Sequence, residues 1–107
     1  MTFPARGELW WADLEEAGAR PVVVVSRDAA IAARRRTLVA PCSTVFRGLP
    51  SEVLLEPGSE PVHRLCAAQL DSLTDIPVRV LTRRLGRLSD EAMRRLCAAL
   101  SVAADCS

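Results

Sequence analysis

Two short apolar segments near the N-terminus constrain the fold more than any other feature of the chain. Leu9–Leu14 and Pro21–Ser26 are rich in β-branched and aromatic residues and are bounded by polar residues, which is typical of strands. Between them, Glu15–Arg20 is acidic and then contains glycine, which predicts a loop. The second segment begins at an Arg20-Pro21 step, where proline disfavours helix at the preceding residue. The pattern predicts two strands joined by a polar turn.

The following residues continue this alternation of short strands and turns. Further strands are predicted at Thr37–Cys42, Ser51–Glu56, Leu65–Leu70 and Arg79–Gly86. Glycine and proline punctuate the chain around them, and Asp71–Pro77 is expected to be irregular.

Two segments have helical character. Asp28–Arg34 has helix-forming composition over one or two turns, with Asp28 as a candidate N-cap. Ser89 is predicted to cap a longer C-terminal helix, which carries two acidic residues in its first turn and apolar residues at helical spacing. We therefore expect a mainly β fold with a C-terminal α-helix, in which a small barrel-like sheet carries the helix.

Length and composition limit the class of protein. The 107 residues suit a single domain, 1–107, with its own core. The longest purely apolar run, Val22–Val25, is too short to span a bilayer, and the N-terminus does not have the pattern of a secretory signal. We expect a cytoplasmic protein that makes no membrane contact.

Charge and cysteine content say less about the class of protein than length and hydropathy do. Fourteen basic residues against thirteen acidic ones give a formal charge of +1, which does not by itself predict a nucleic-acid partner. Every basic residue is arginine, whose planar fork suits phosphate oxygens. The four cysteines form no C-x-x-C pair and there is one histidine, so the spacing of a metal site is absent. We expect free thiols, Cys106 being the most exposed, and no cofactor.

Several motifs, taken in order, resemble the MazF/PemK family of bacterial toxin ribonucleases. Besides the two N-terminal segments, they are Ala40-Pro-Cys-Ser-Thr44, Arg47-Gly-Leu-Pro-Ser-Glu-Val53 and Arg84-Leu-Gly-Arg-Leu88. The resemblance implies an SH3-like barrel of the CcdB/PemK type that forms a homodimer. It also implies metal-independent, sequence-selective cleavage of single-stranded RNA by 2′-hydroxyl attack, and a small acidic, MazE-like antitoxin as partner.

Arg20 is the first candidate catalytic residue. From composition alone it is an extended arginine with its head in solvent, but the family's catalytic arginine occupies this Arg-Pro step. The implied role is to stabilise the pentacovalent phosphate, because charge accumulates on its non-bridging oxygens. An arginine is a poor general base because its guanidinium stays protonated in proteins. Whether it also acts as an acid toward the leaving 5′-oxygen is left open.

Ser43 and Thr44 are candidates for the hydroxyl of the site. Aligning on Pro41-Cys42 and Gly48 places Ser43 where the family carries a threonine, with Thr44 beside it. The alternative for both is an ordinary hydroxyl that bonds backbone at a strand end. Both are kept.

Asp71 is a candidate general base, with capping of a turn before Ser72 as the equal alternative. Gln69 should face the same side of the chain. Gln69, Arg47, Trp11 and Arg36 are candidate RNA-binding residues, although the arginines also suit a solvated face. Trp10 and Trp11 should face opposite sides, one in the core and the other at a dimer interface or under a base. His63 has no identifiable partner and is set aside.

Two other functions stay open. One is a CcdB-like topoisomerase poison, which would have no need for Arg20 and Ser43 to lie near each other. The other is a non-catalytic SH3-like interaction module, which the serine in place of threonine and the short loop after the first strand keep open.

Overall fold

The computed structural model describes residues 3–15 and 18–104. Its first two strands, β1 (Glu8–Leu14) and β2 (Gly18–Val24), are antiparallel, as predicted. However, β2 begins at Gly18 rather than at Pro21, because residues 18–20 pair with the end of β1. The predicted loop is therefore wrong for residues 18–20, and its residues 16 and 17 lie outside the described residues.

Five further strands complete the sheet. They are β3 (Arg36–Ser43), β4 (Glu52–Leu55), β5 (Cys66–Gln69), β6 (Thr74–Pro77) and β7 (Leu81–Arg87). Their order is β4-β5-β3-β2-β1-β7, and β6 also pairs with β3. In the described part of the chain no pairing joins β4 to β7. The mainly β prediction is confirmed, but hydrogen bonds do not close the sheet into the expected barrel.

β6 lies where an irregular segment is expected, and that expectation is wrong. Its residues pair antiparallel with the first half of β3, from Arg36 to Val39. Threonine, aspartate and proline make up most of β6, so its local preference for strand is weak. An ion pair between Arg36 Nε and Asp75 Oδ2, at 2.7 Å, links the two strands. Pairing to β3 thus forms a strand that local composition does not predict.

The two helices are α1 (Asp28–Arg34) and α2 (Asp90–Ala103). The predicted cap of α2 is confirmed, since Ser89 Oγ accepts the backbone N–H of Ala92 at 3.1 Å. The predicted cap of α1 is wrong, because Arg27 occupies the N-cap position. Asp28 instead begins the helix, and its Oδ1 accepts the backbone N–H of Arg6 at 2.8 Å.

Each face of the sheet carries its own core. Val23 packs in a cluster that includes Leu96 of α2, whereas Val22 and Val24 pack in a second cluster with Ile31 of α1. Successive strand residues face opposite sides, so one continuous apolar run contributes to both cores.

Two further observations concern membranes and thiols. None of the helices in the described residues has both the length and the apolar character needed to cross a membrane. Cys42 and Cys66 are buried free thiols and Cys97 is an exposed one, while Cys106 lies outside the described residues.

Gly86 of β7 approaches Pro61 so closely that a larger residue would collide with it. A Cβ at Gly86, where φ is +154°, would lie 2.5 Å from Pro61 Cβ. We expect Gly86→Ala to lower the free energy of unfolding by about 3 kcal/mol, through overpacking and backbone strain together. In Gly58→Ala, where φ is +93° and nothing lies within 4 Å of the added Cβ, only strain of about 1–2 kcal/mol is expected. Urea unfolding measures both, and equal losses would contradict the role given to Pro61.

Candidate functional site

Arg20 and Ser43 come together at the ends of two neighbouring strands. The antiparallel β2–β3 register pairs Val22 with Pro41. Arg20 lies two residues before Val22, and Ser43 lies two residues after Pro41. Side chains two residues apart on a strand share a face, so both lie on the side of Val22 and Pro41. Sheet pairing thus brings the Arg-Pro step beside the serine.

Two grooves meet at this pair of residues, and each has a volume of about 620 Å³. Of the described residues, Arg20 and Ser43 line both. The first groove is further defined by Trp11, Thr44, His63, Arg64, Cys66 and Arg83. The second groove is further defined by Phe46, Arg47, Glu52, Gln69 and Asp71.

The first groove is cationic. Arg20, Arg64 and Arg83 line it, and no aspartate or glutamate does among the residues that the structure describes. Within that part of the chain, neither Arg64 nor Arg83 has a carboxylate oxygen within 4.0 Å. Guanidinium groups placed in this way are available to phosphate oxygens.

Arg20 is half-buried. Its charge acts on the thiol of Cys42, which lines the first groove together with Cys66. The pKa of Cys42 is raised well above its ordinary value, first by a hydrogen bond with Cys66 and then by burial, while the nearby Arg20 charge acts to lower it. The same hydrogen bond lowers the pKa of Cys66. The Cys66 bond and burial outweigh the charge of Arg20, so the pKa of Cys42 stays raised and its thiol keeps its proton.

Of the two candidate hydroxyl residues, Ser43 lines both grooves and Thr44 lines one. Its Oγ accepts the backbone N–H of Val45 at 3.0 Å, which is the ordinary bond expected at a strand end. A hydroxyl that accepts in this way still has its O–H to donate to a ligand. Thr44 is exposed and lines the first groove but not the second.

Asp71 and Gln69 lie in the second groove, at the end of β5. Asp71 is exposed within a short 3-10 turn, Leu70–Ser72, and its Oδ2 accepts the hydroxyl hydrogen of the buried Ser51. This bond holds one carboxylate oxygen and leaves Oδ1 to act as an acceptor. Asp71 can therefore hold the turn through Oδ2 and still present Oδ1 in the second groove.

Glu52 is a residue of the second groove to which the sequence pattern assigned no role. Its Oε1 accepts the backbone N–H groups of Leu49 at 2.7 Å and of Arg47 at 3.1 Å. The Leu49 bond is the main reason that the pKa of Glu52 lies below its ordinary value, and a side-chain bond from Gln69 adds to it. Glu52 thus orders the loop between β3 and β4. The available signal was an acidic residue two positions after a Gly-Leu-Pro turn.

Trp10 and Trp11 face opposite sides of β1, as predicted. Trp10 packs against the core cluster beside α1, and its Nε1 donates to Glu8 Oε1 at 3.1 Å. Trp11 is half-buried and lines the first groove. Trp10 is therefore the tryptophan that packs against the core, although both tryptophans are only partly buried, and stacking of Trp11 on a base stays a prediction.

The two candidate RNA-binding arginines lie in different places. Arg47 is exposed at the second groove. Arg36 begins β3, at the opposite end of the strand from Ser43, about 23 Å away at strand rise. Its hydrogen bond is the main cause of the lowered pKa of Asp75. Arg36 is not among the residues that line either groove, and its contact with RNA stays a prediction.

Metal ligands are not grouped in the described residues, where no three His, Cys, Asp or Glu side chains are placed so that they could hold an ion.

Comparisons with known proteins identify the family of this chain. A family model described as the PemK-like, MazF-like toxin of type II toxin–antitoxin system matches residues 5–103. The probable endoribonuclease MazF5 of Mycobacterium tuberculosis is 62% identical over 105 residues, which cover 98% of this chain and 96% of that protein. The endoribonuclease MazF9 of the same organism is 33% identical over 112 residues, covering 94% and 95%.

Solved structures show the same fold. The Mycobacterium tuberculosis toxin MazF-mt6 superposes with a TM-score of 0.84 at 28% identity, covering 94% of this chain and 98% of that one. A mycobacterial endoribonuclease in complex with its cognate antitoxin superposes with a TM-score of 0.87 at 24% identity, covering 97% of each chain. Because the family model and MazF5 both match nearly the whole chain, this protein belongs to the PemK-like, MazF-like toxins of type II toxin–antitoxin systems.

Proposed function

We propose that this toxin is a metal-independent, sequence-selective endoribonuclease that cleaves single-stranded RNA. The observation that carries the proposal is that Arg20 and Ser43 line both grooves. An RNA strand that passes from one groove to the other therefore brings a phosphate between a guanidinium and a hydroxyl. The name of MazF5, a probable endoribonuclease, supports the same activity. A topoisomerase poison would have no use for this juxtaposition.

The proposed reaction is an attack by the ribose 2′-oxygen on the adjacent phosphorus. The new bond joins phosphorus to the 2′-oxygen, and the bond to the 5′-oxygen of the next nucleotide breaks. The products are a 2′,3′-cyclic phosphate and a 5′-hydroxyl. Negative charge grows on the non-bridging oxygens in the transition state, where Arg20 donates charge-assisted hydrogen bonds and Ser43 donates its O–H.

Two proton transfers complete the reaction. In the proposal, Asp71 takes the proton of the 2′-hydroxyl through its Oδ1, because Ser51 already bonds Oδ2. The leaving 5′-oxygen takes its proton from water in the open grooves, and Asp71 returns its proton to the hydroxide that this leaves. Arg20 acts through its charge, since a guanidinium is a permanently charged donor. Thr44 lies beside Ser43 and supplies a second hydroxyl to the first groove.

The substrate is single-stranded because the 2′-oxygen must swing in line with the leaving oxygen and because only unpaired bases expose their edges. In the proposal Gln69 and Arg47 contact RNA in the second groove and Trp11 supplies a stacking surface in the first.

The proposed partners are a second copy of this chain and a small acidic antitoxin, both in the cytoplasm. An acidic, partly disordered segment would suit the first groove, where three arginines and no carboxylate line the described surface. Such a segment would compete with RNA for Arg20. Native mass spectrometry of the purified toxin tests the homodimer.

Cleavage without metal is the first test of the proposal. The purified toxin should cut single-stranded RNA in excess EDTA and leave an RNA duplex intact, since the proposed chemistry uses only the guanidinium of Arg20, the hydroxyl of Ser43 and the carboxylate of Asp71. Gel analysis of the fragments, with end-group mapping, should show 2′,3′-cyclic phosphate and 5′-hydroxyl ends. Loss of activity in EDTA that Mg²⁺ restores would contradict the mechanism.

A further inference from the structure

The segment between β4 and β5 forms one wall of the first groove. Pro61, Val62, His63 and Arg64 all line it, although residues 61–64 belong to no helix or strand. A wall without regular structure presents a side chain reproducibly only if contacts elsewhere hold it.

Glu60 provides such a contact from inside the protein. It is buried, and its two carboxylate oxygens accept both hydrogens that Ser89 offers at the start of α2. The backbone N–H of Ser89 donates to Oε1 at 2.9 Å, and its hydroxyl donates to Oε2 at 2.6 Å. Because the Ser89 hydroxyl oxygen accepts from Ala92 in turn, the wall is joined directly to the N-cap of α2.

Two neighbouring contacts restrict the wall further. Pro61 lies against Gly86 of β7 with no room for a Cβ between them. Val62 packs against the core cluster beside α2, and its backbone N–H donates to the Glu60 carbonyl at 2.8 Å. Pro61 and Val62 are therefore held on the inner side, while His63 and Arg64, which follow them, are exposed and line the groove.

Because the residues before it are held in place, Arg64 presents its positive charge at the first groove. The same groove is lined by Arg83 and Trp11, which are paired to each other between β7 and β1. No described carboxylate lies within 4.0 Å of Arg64 or Arg83. Two guanidinium groups that line one groove favour a chain of phosphates, which is the chemistry of a nucleic-acid backbone.

We propose that Arg64 binds a phosphate of the single-stranded RNA other than the scissile one, and that Glu60 is the residue that positions this wall. The inference rests on the proposed function and adds to it a binding residue and a positioning residue that the sequence pattern did not single out.

The test is the salt dependence of binding. The probe is a mixed-sequence 2′-O-methyl RNA oligonucleotide, which binds but has no free 2′-hydroxyl to react. For Arg64→Ala we expect about 3- to 10-fold weaker binding near 0.1 M salt and a slope of log affinity against log salt reduced by about 0.7, the effect of one lost phosphate contact on a single strand. Arg94→Ala, which removes an exposed arginine of α2, is the matched control and should keep the wild-type slope.

Glu60→Gln separates positioning from mere stabilisation. If Glu60 positions the wall, this variant loses slope as Arg64→Ala does, and the double variant loses no more than either one. A lowered melting temperature with the wild-type slope would overturn the positioning role. An unchanged slope in Arg64→Ala, with wild-type protein that still cleaves RNA, would overturn the phosphate contact alone. Wild-type protein that neither binds the probe nor cleaves RNA would overturn the proposed function itself.

Discussion

Arg20→Ala is expected to lower kcat for cleavage of single-stranded RNA by about 100-fold or more. The physical reason is the loss of a charged donor aimed at oxygens that become negative only as the transition state forms. Arg20 lies at the junction of the two grooves, so no other described arginine shares its position on both. Single-turnover rates on a fluorogenic RNA, measured in EDTA, give the effect on chemistry apart from product release.

Two further variants make the Arg20 result specific. Arg20→Lys should recover little activity, because a point charge does not replace a bidentate fork. Arg94→Ala also removes one positive charge, but from the exposed surface of α2, and should stay near the wild-type rate. Circular dichroism and melting temperature confirm that each variant is folded. A folded Arg20→Ala protein with wild-type rate would refute the assignment.

The second large effect is expected at Ser43. Ser43→Ala should lower the single-turnover rate by about 10- to 100-fold, and clearly more than Thr44→Ala does, because Ser43 lines both grooves and Thr44 only the first. Ser43→Thr should keep or improve the rate, since the added methyl group restricts the rotamer of the hydroxyl.

Thermal melting separates this expectation from a structural one. The bond from Val45 N–H to Ser43 Oγ is lost in Ser43→Ala, so a stability loss of about 1 kcal/mol is expected whether or not the hydroxyl takes part in cleavage. A stability loss without a loss of rate would restrict Ser43 to holding the turn. If Thr44→Ala were the inactive variant instead, the alignment at Pro41-Cys42 would be shifted by one residue.

The elements that the sequence predicted well are those that local chemistry determines. The strand at β1 follows from apolar and aromatic residues between polar turns, and α2 follows from Ser89, two acidic residues and helical periodicity. The opposite orientations of Trp10 and Trp11 follow from strand alternation alone. Arg20, Ser43 and Asp71 were singled out through the family resemblance, which compares motifs and needs no coordinates.

Other features depended on pairing between distant segments. β6 forms because β3 offers it an edge and Arg36 binds Asp75, and β2 extends back to Gly18 because β1 continues opposite it. Local propensity carries no information about the partner strands β1 and β3, so the predictions of a loop at residues 18–20 and of an irregular segment at β6 were wrong. The same pairing separates Arg36 from the grooves, although nothing in its arginine-rich run distinguishes it from an RNA-binding residue.

By itself, then, the sequence determined the class of fold, the cap of α2, the strands set by neighbouring residues, and the candidate catalytic side chains. Only the tertiary structure decided which of those side chains share a surface: Arg20 with Ser43 at the meeting of two grooves, and Asp71 in the second. It also decided the roles of Glu52 and Glu60, whose carboxylates order loops through backbone N–H groups. The physical reason is that strand register and loop closure bring together residues far apart in the chain, and no local pattern records those contacts.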